Sequence, residues 1–421
     1  MTPRTWAVVA LIGLSVALLG LVAYTVPWAH PATPSRAAEL AAVADLPADK
    51  VALGKRFAGA LRPGSYAGLL LGLVVTLVLG LTPLGARLVA YAGRPFGGHW
   101  LAEALLGGLA IVLLGQVVVL PFAAWRHVIL RRYGLSTQDW SGWGVDVLKS
   151  LLVSAVFALL VLAGFYTLTR LVPRWWWAYA AACAALLVAL LSFVFPVLVE
   201  PIFNKFTPMP DSPLRTELMA LAQRDGVPVK DVLVADASRR TTAVNAYVSG
   251  YGPTRRIVVY DTLLEAGSDS DVVEVVAHEL GHAKQNDVVV GTVIGALGAS
   301  AAVCGLYLLG SWSGLLRRAG LDGDPSDLAN PRALALLIAV VTVIGLVSTP
   351  VQSLISRRIE ARADEHALEL TQDPVAFEKM QRRLALRNLS DVDPPAWEQW
   401  IFGDHPTTAE RIAAARAYAT R

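Results

Sequence analysis

Apolar residues in this chain come in long, nearly unbroken blocks. They do not alternate as in a half-buried strand or recur every three to four residues as on a soluble helix. The blocks run at about Trp6–Tyr24, Tyr66–Pro83, Trp100–Phe122, Leu151–Val172, Trp175–Leu198, Val288–Trp312 and Ala333–Ile355. Each approaches the roughly 20 residues a helix needs to cross the hydrocarbon core of a bilayer. The pattern therefore predicts seven membrane spans. The first block follows Arg4 and could be a cleaved signal peptide, but it is long and the region of Trp28 is a poor small-residue cleavage site, so a retained helix is expected. A more polar stretch from His30 to Ser65 follows it.

Two further segments break the apolar pattern, Val199–Asp287 and Ser356–Arg421. The chain divides accordingly. Residues 1–198 hold five spans, 199–287 a polar segment, 288–355 two more spans, and 356–421 a polar tail. With seven spans, the segments after the fifth and the seventh lie on the same side. Lys and Arg are denser in the loops before the second span (Arg36, Lys50, Lys55, Arg56, Arg62) and before the fourth (Arg126, Arg131, Arg132, Lys149) than in the opposite loops (Arg87, Arg94, Arg170, Arg174, Arg317, Arg318, Arg332). That bias places both polar segments in the cytoplasm and the N-terminus outside, with Arg4 weighing the other way.

The longer polar segment changes period. Leu214, Leu218 and Leu221 share one face of a helix ending near Asp225; Asp231–Asp236, Ala243–Val248 and Arg256–Tyr260 read as strands, the last two joined through Gly250, Gly252 and Pro253 as a hairpin. Ser268 to Asp287 reads as a helix, with Ser268 and Asp269 as N-cap candidates and an apolar stripe of Val272, Val273, Val275, Val276 and Leu280.

Composition narrows the picture. Residues are 55% hydrophobic and 16% charged, as a polytopic membrane protein requires. The net charge is +3 without any basic block, so nucleic acid is not an expected partner. Cys183 and Cys304 both lie in apolar blocks, which argues for packing and against a disulfide or a thiolate metal site. Trp175-Trp176-Trp177 at a span end is placed at the membrane interface. Glu103, near the start of the third span, is expected to cap a helix end at the headgroups, the alternative being an interior cavity.

Metal chemistry must then use His and carboxylates. His278-Glu279-Leu280-Gly281-His282 falls inside the predicted helix. Residues four apart share a face, so both imidazoles can meet one zinc ion, while Glu279 is turned away and can reach an activated water. Two histidines on an ordinary amphipathic helix are the bland alternative, yet H-E-x-x-H arises by chance only about once in a hundred chains of this size. A catalytic zinc needs a third protein ligand and an open position. Glu360 and Asp364 are also four apart, in Ser356-Arg-Arg-Ile-Glu-Ala-Arg-Ala-Asp-Glu-His366. Glu360 is taken as the ligand and Asp364 as the group that holds a ligand histidine by its other ring nitrogen.

Pro201-Ile-Phe-Asn-Lys-Phe-Thr-Pro208, Asn245-Ala-Tyr247, the His278–His282 motif, Glu360-Ala-Arg-Ala-Asp364 and Asp404-His-Pro-Thr-Thr-Ala-Glu-Arg411 occur in this order, and Tyr133-Gly-Leu-Ser-Thr-Gln138 matches a further loop. The ordered set resembles the type I CAAX prenyl protease family of integral-membrane zinc metallopeptidases. The resemblance implies a predominantly α fold: a seven-transmembrane-helix bundle with a cytoplasmic, zincin-like and gluzincin-like protease domain carrying a small β-sheet. It implies one zinc per chain, a peptide or protein substrate (prenylated or not), and membrane lipid around the helices. By the same resemblance, Asn245, Ala246 and Tyr247 form an edge strand that pairs with substrate backbone, and His405 and Arg411 stabilise the oxyanion. A large water-filled chamber among the helices is implied as well.

Three functions stay open on sequence: removal of the C-terminal tripeptide of CAAX proteins, prenyl-independent cleavage of membrane-associated peptides, and a seven-helix transporter or receptor in which the motif is incidental. The host membrane would be the plasma membrane in a bacterium and the endoplasmic reticulum in a eukaryote.

Overall fold

A computed structural model describes residues 1–29 and 34–421, so the start of the polar stretch at His30 lies outside the described residues. Among the described residues seven helices are long and apolar enough to cross a membrane: Pro3–Thr25, Ala48–Leu81, Trp100–Arg132, Trp140–Leu171, Trp176–Phe203, Asp287–Leu309 and Pro331–Thr371. Their outward faces carry large apolar side chains, such as Leu19, Leu70, Leu160, Leu186 and Val347. Such a surface suits lipid and not water. Most of these helices outrun the apolar blocks that predict them, because polar turns continue the helix past the bilayer. The second begins at Ala48 and runs through Pro63, and the last continues to Thr371.

The polar parts assemble on one end of the bundle. Four strands, β1 (Phe206–Pro208), β2 (Asp231–Ala235), β3 (Ala246–Ser249) and β4 (Arg256–Tyr260), form a sheet in the order β1-β2-β4-β3. β3 and β4 pair antiparallel, Ala246 opposite Val259, as the hairpin predicts, and β2 and β4 pair parallel. β1 escapes the sequence pattern because it is three residues long and contains a proline. The sheet packs on the helix Asp269–Gln285, whose Val272, Val275, Val276 and Leu280 share one core with Leu218, Leu221, Ile257, Phe377 and Met380. Burying side chains of this size contributes about 1.5–3 kcal/mol each. The helix starts with a capping box: Ser268 Oγ accepts from the Asp271 amide and Asp271 Oδ2 accepts from the Ser268 amide at 2.7 Å.

Its end differs from the sequence expectation. It stops at Gln285, because Asn286 adopts φ 54°, a left-handed conformation that asparagine tolerates better than most residues. The next helix begins at once with Asp287. Trp176 and Trp177 open the fifth membrane helix and turn inward. Both are buried, against Tyr307 at ring distances of 5.6 Å, because the span packs on its neighbour where the three aromatics meet. Glu103 is buried as well, paired with Arg332 at 2.8 Å, which neutralises it at the bundle end.

The loop before the second span meets the tail. Ala42 packs with Ile412 and Ala413, Arg36 pairs with Asp393 at 2.6 Å, and Arg62 bridges Asp391 and Glu398 at 2.7 Å each. The loop at Tyr133–Gln138 bridges to the sheet segment through Ser136 and Thr241. The second and last spans touch at Gly80. A Cβ there would overlap Ala339 and lie 2.7 Å from the Ala335 carbonyl oxygen. We expect Gly80→Ala to destabilise the protein by about 1–3 kcal/mol, read as a fall in melting temperature in detergent, whereas Gly59→Ala, where nothing lies within 4 Å, should leave it unchanged.

Candidate active site

The helix Asp269–Gln285 crosses the helix Leu334–Thr371 closely. Gly281 makes this possible: a Cβ there would lie 3.1 Å from His366 Cδ2 and 3.3 Å from Ala363 Cα. Behind the crossing, buried Asp225 receives Lys284 at 2.7 Å and His366 at 3.1 Å, tying three helices together. The long helix spans about 57 Å at 1.5 Å per residue. Roughly the last 15 residues lie beyond what the bilayer needs, and Glu360 and Asp364 sit on that extension.

At the crossing, donor atoms of His278, His282 and Glu360 all lie within 4.8 Å of one another. The two Nε2 atoms are 3.2 Å apart. Glu360 Oε2 is 3.2 Å from His278 Nε2, and Oε1 is 3.4 Å from His282 Nε2. Yet Glu360 Oε2 is sealed from solvent and accepts no hydrogen bond of proper geometry. Three donors facing one point, with a buried carboxylate oxygen that accepts no well-formed hydrogen bond among them, fit a divalent cation. Two His and one Glu are also the donor set that tetrahedral zinc takes in catalytic sites.

Each imidazole is held from behind. His278 Nδ1 lies 2.9 Å from Asp364 Oδ1, the partnership the sequence spacing suggests. His282 Nδ1 lies 2.9 Å from Asp287 Oδ2. Asp287 was not among the sequence candidates, because it falls five residues past His282 and outside the predicted motif. The left-handed turn at Asn286 brings it back, and a carboxylate opening an apolar span was the available signal. Both carboxylates are in turn neutralised. Asp364 accepts from Arg411 Nε at 2.8 Å, and Asp287 accepts from Arg362, which also donates to the Thr25 carbonyl at 3.3 Å. Arg411 therefore stands behind His278, 3.4 Å from Nδ1 and across the ring from Nε2. This placement differs from that of an oxyanion donor, since its forked N–H groups are committed to Asp364. His405 does face the donor cluster, with Nε2 3.3 Å from Glu360 Oε2. Asp404, 2.9 Å from its Nδ1, lifts the His405 pKa above the ordinary imidazole value.

A cavity of about 440 Å³ adjoins the cluster, lined by Glu279, His405, Val248, Tyr251, Arg255 and Val288 among others. Burial raises the Glu279 carboxyl pKa, and the two imidazoles oppose that shift. β3 is the sheet edge on this side, but it is Val248, Gly250 and Tyr251 that line the cavity. Ala246 is buried in the core, the Asn245 carbonyl accepts from the Tyr260 amide, and Tyr247 donates to Glu200 at 3.2 Å. The edge open to the cavity is thus shifted towards the strand's C-terminal end.

Comparison with known proteins gives concordant results. Residues 208–419 match the model of peptidase family M48, and residues 65–205 match a model described as CAAX prenyl protease N-terminal, five membrane helices. An uncharacterized metalloprotease of Bacillus subtilis, YhfN, is 33% identical over 309 residues, covering 71% of this chain and 70% of its own. CAAX prenyl protease 1 of Saccharomyces cerevisiae is 28% identical over 322 residues, covering 72% and 69%. The crystal structure of S. mikatae Ste24p superposes with a TM-score of 0.78 over 98% of each chain at 22% identity, which establishes a common fold.

On the same helix, one turn before His278, Glu274 is buried with Thr371 Oγ1 as donor at 3.3 Å, and burial pushes its pKa up to about 8. A carboxyl raised in the folded state stabilises the fold below its unfolded pKa, and that contribution is lost as pH rises through about 8. Glu274→Gln should therefore melt at a higher temperature than the wild type at pH 9, with the advantage gone by pH 5, as thermal scans across pH would read.

Proposed function

We propose that this chain, which belongs to peptidase family M48, is an integral-membrane zinc endopeptidase in which His278, His282 and Glu360 hold one zinc ion and Glu279 is the general base. The observation that carries the assignment is the convergence of the three donors on one point beside the orphaned Glu360 oxygen. Zinc bound there supplies the Lewis acidity that activates water and polarises the scissile carbonyl. The Glu279 carboxylate takes the proton of the attacking water and passes it to the nitrogen of the leaving amine. Its position between helix and cavity suits both transfers. His405, with its raised pKa, is a cationic donor beside the reacting carbonyl. Asp364 and Asp287 keep the ligand imidazoles in the tautomer and orientation that present Nε2. The free edge at Val248–Gly250 offers backbone groups to an extended peptide.

The cavity reaches Val288 and Val289, where the span Asp287–Leu309 enters the bilayer. This favours substrates with an apolar or lipidated residue beside the scissile bond, whether the prenylated cysteine of a CAAX segment or an apolar membrane peptide. The Lys and Arg distribution supports a site that faces the cytoplasm.

Glu279→Gln should keep its metal by elemental analysis and lose turnover by about 10²–10⁴-fold. Glu360→Ala should lose the metal itself, and full occupancy in that variant would move the third ligand elsewhere. To separate the substrate classes, the purified protein is given a farnesylated CAAX peptide and its unprenylated twin, with Glu279→Gln as blank. Cleavage of the prenylated peptide alone supports CAAX processing; equal cleavage of both supports general turnover of membrane peptides.

A further inference from the structure

Arg255 is the one cationic side chain of the cavity wall without a carboxylate partner among the described residues. It precedes β4, is 8% exposed, and lines the same cavity as Glu279 and His282. Its Nη2 donates to the Ala283 carbonyl at 2.8 Å and to Asn286 Oδ1 at 2.9 Å, both neutral acceptors. Its guanidinium carbon lies 5.7 Å from the centre of the Tyr251 ring. The Nε and Nη1 protons have no acceptor among the described residues. The nearby carboxylate of the wall, Asp287, is already shared by His282 and Arg362.

Two other sheltered arginines have carboxylate partners: Arg411 with Asp364, and Arg62 with Asp391 and Glu398. A guanidinium that lines a cavity with uncommitted donors and no carboxylate partner favours an anionic ligand there. The Nε–H and Nη1–H of Arg255 that remain can each donate a charge-assisted hydrogen bond to a carboxylate oxygen. Resting on the endopeptidase reading, we infer that Arg255 is a specificity residue: it receives a carboxylate of the peptide substrate, close to the scissile bond. A peptide can bring that group as an acidic side chain or as its C-terminal carboxylate.

Arg255 also caps the end of the Asp269–Gln285 helix, so a purely structural role must be separable. The test uses full-length protein carrying Glu279→Gln, so that binding is read without turnover. Fluorescein-labelled ten-residue peptides with an apolar centre are made in four forms: neutral or with one Glu, each with a free or an amidated C-terminus. With Arg255 intact, at least one carboxylate form should bind about tenfold more tightly than the neutral amide by fluorescence anisotropy. Arg255→Gln should reduce that ratio to below about twofold, and Arg255→Lys should restore part of it. The form that shows the preference identifies the source of the carboxylate. Equal binding of all four forms to the Arg255 protein would overturn the inference. So would an equal weakening of all four by Arg255→Gln with a lowered melting temperature, the mark of a helix cap alone. Failure of the endopeptidase reading is distinguishable, since the chain with Glu279 intact would then cleave none of the four while binding is still measured.

Discussion

Two imidazole nitrogens 3.2 Å apart with a carboxylate oxygen facing them are held in a geometry that suits a cation. Keeping those three donors pointed at one place is the constraint on which the remaining structure depends. The protein meets it with two buried carboxylates, Asp364 and Asp287, one behind each ring, and an arginine behind each carboxylate. A carboxylate buried alone is costly; paired with Arg411 or Arg362 it has a counter-charge and keeps its histidine oriented. The donor set is therefore the visible tip of two ion pairs that reach from the tail helix at Arg411 to the end of the first membrane helix at Thr25.

The membrane supplies the rigidity that those pairs require. Glu360 and Asp364 ride on a helix that is anchored through the bilayer and runs on into water. Missing side chains set its approach to two neighbours, the His278 helix and the second span. Gly281 admits Ala363 and His366, and Gly80 admits Ala335 and Ala339. The loop between the first two spans then clamps the tail through Arg36 and Arg62. Membrane bundle and catalytic parts are one mechanical unit, with the cavity where they meet.

That cavity has two characters. One end meets the start of a membrane span at Val288 and Val289; the other holds Arg255, without a carboxylate partner. On the proposed reading, such a surface would take an apolar group next to a carboxylate.

The spans, the hairpin of β3 and β4, and the His278–Glu279–His282 motif with Glu360 and Asp364 were legible in the sequence, because each follows from local periodicity: unbroken apolar blocks, alternation, and spacing by four on a helix. The parity of seven spans even put the two halves of the site on one side. What local pattern could not determine was every relation between distant residues. Asp287 joins the site through one left-handed residue, Asn286; Arg411 turns to Asp364 and not to the cavity; Trp176 and Trp177 pack on Tyr307; Arg255 ends beside the cavity of Glu279 without a carboxylate partner. Burial and pairing depend on which surfaces meet, and only the tertiary structure decides that.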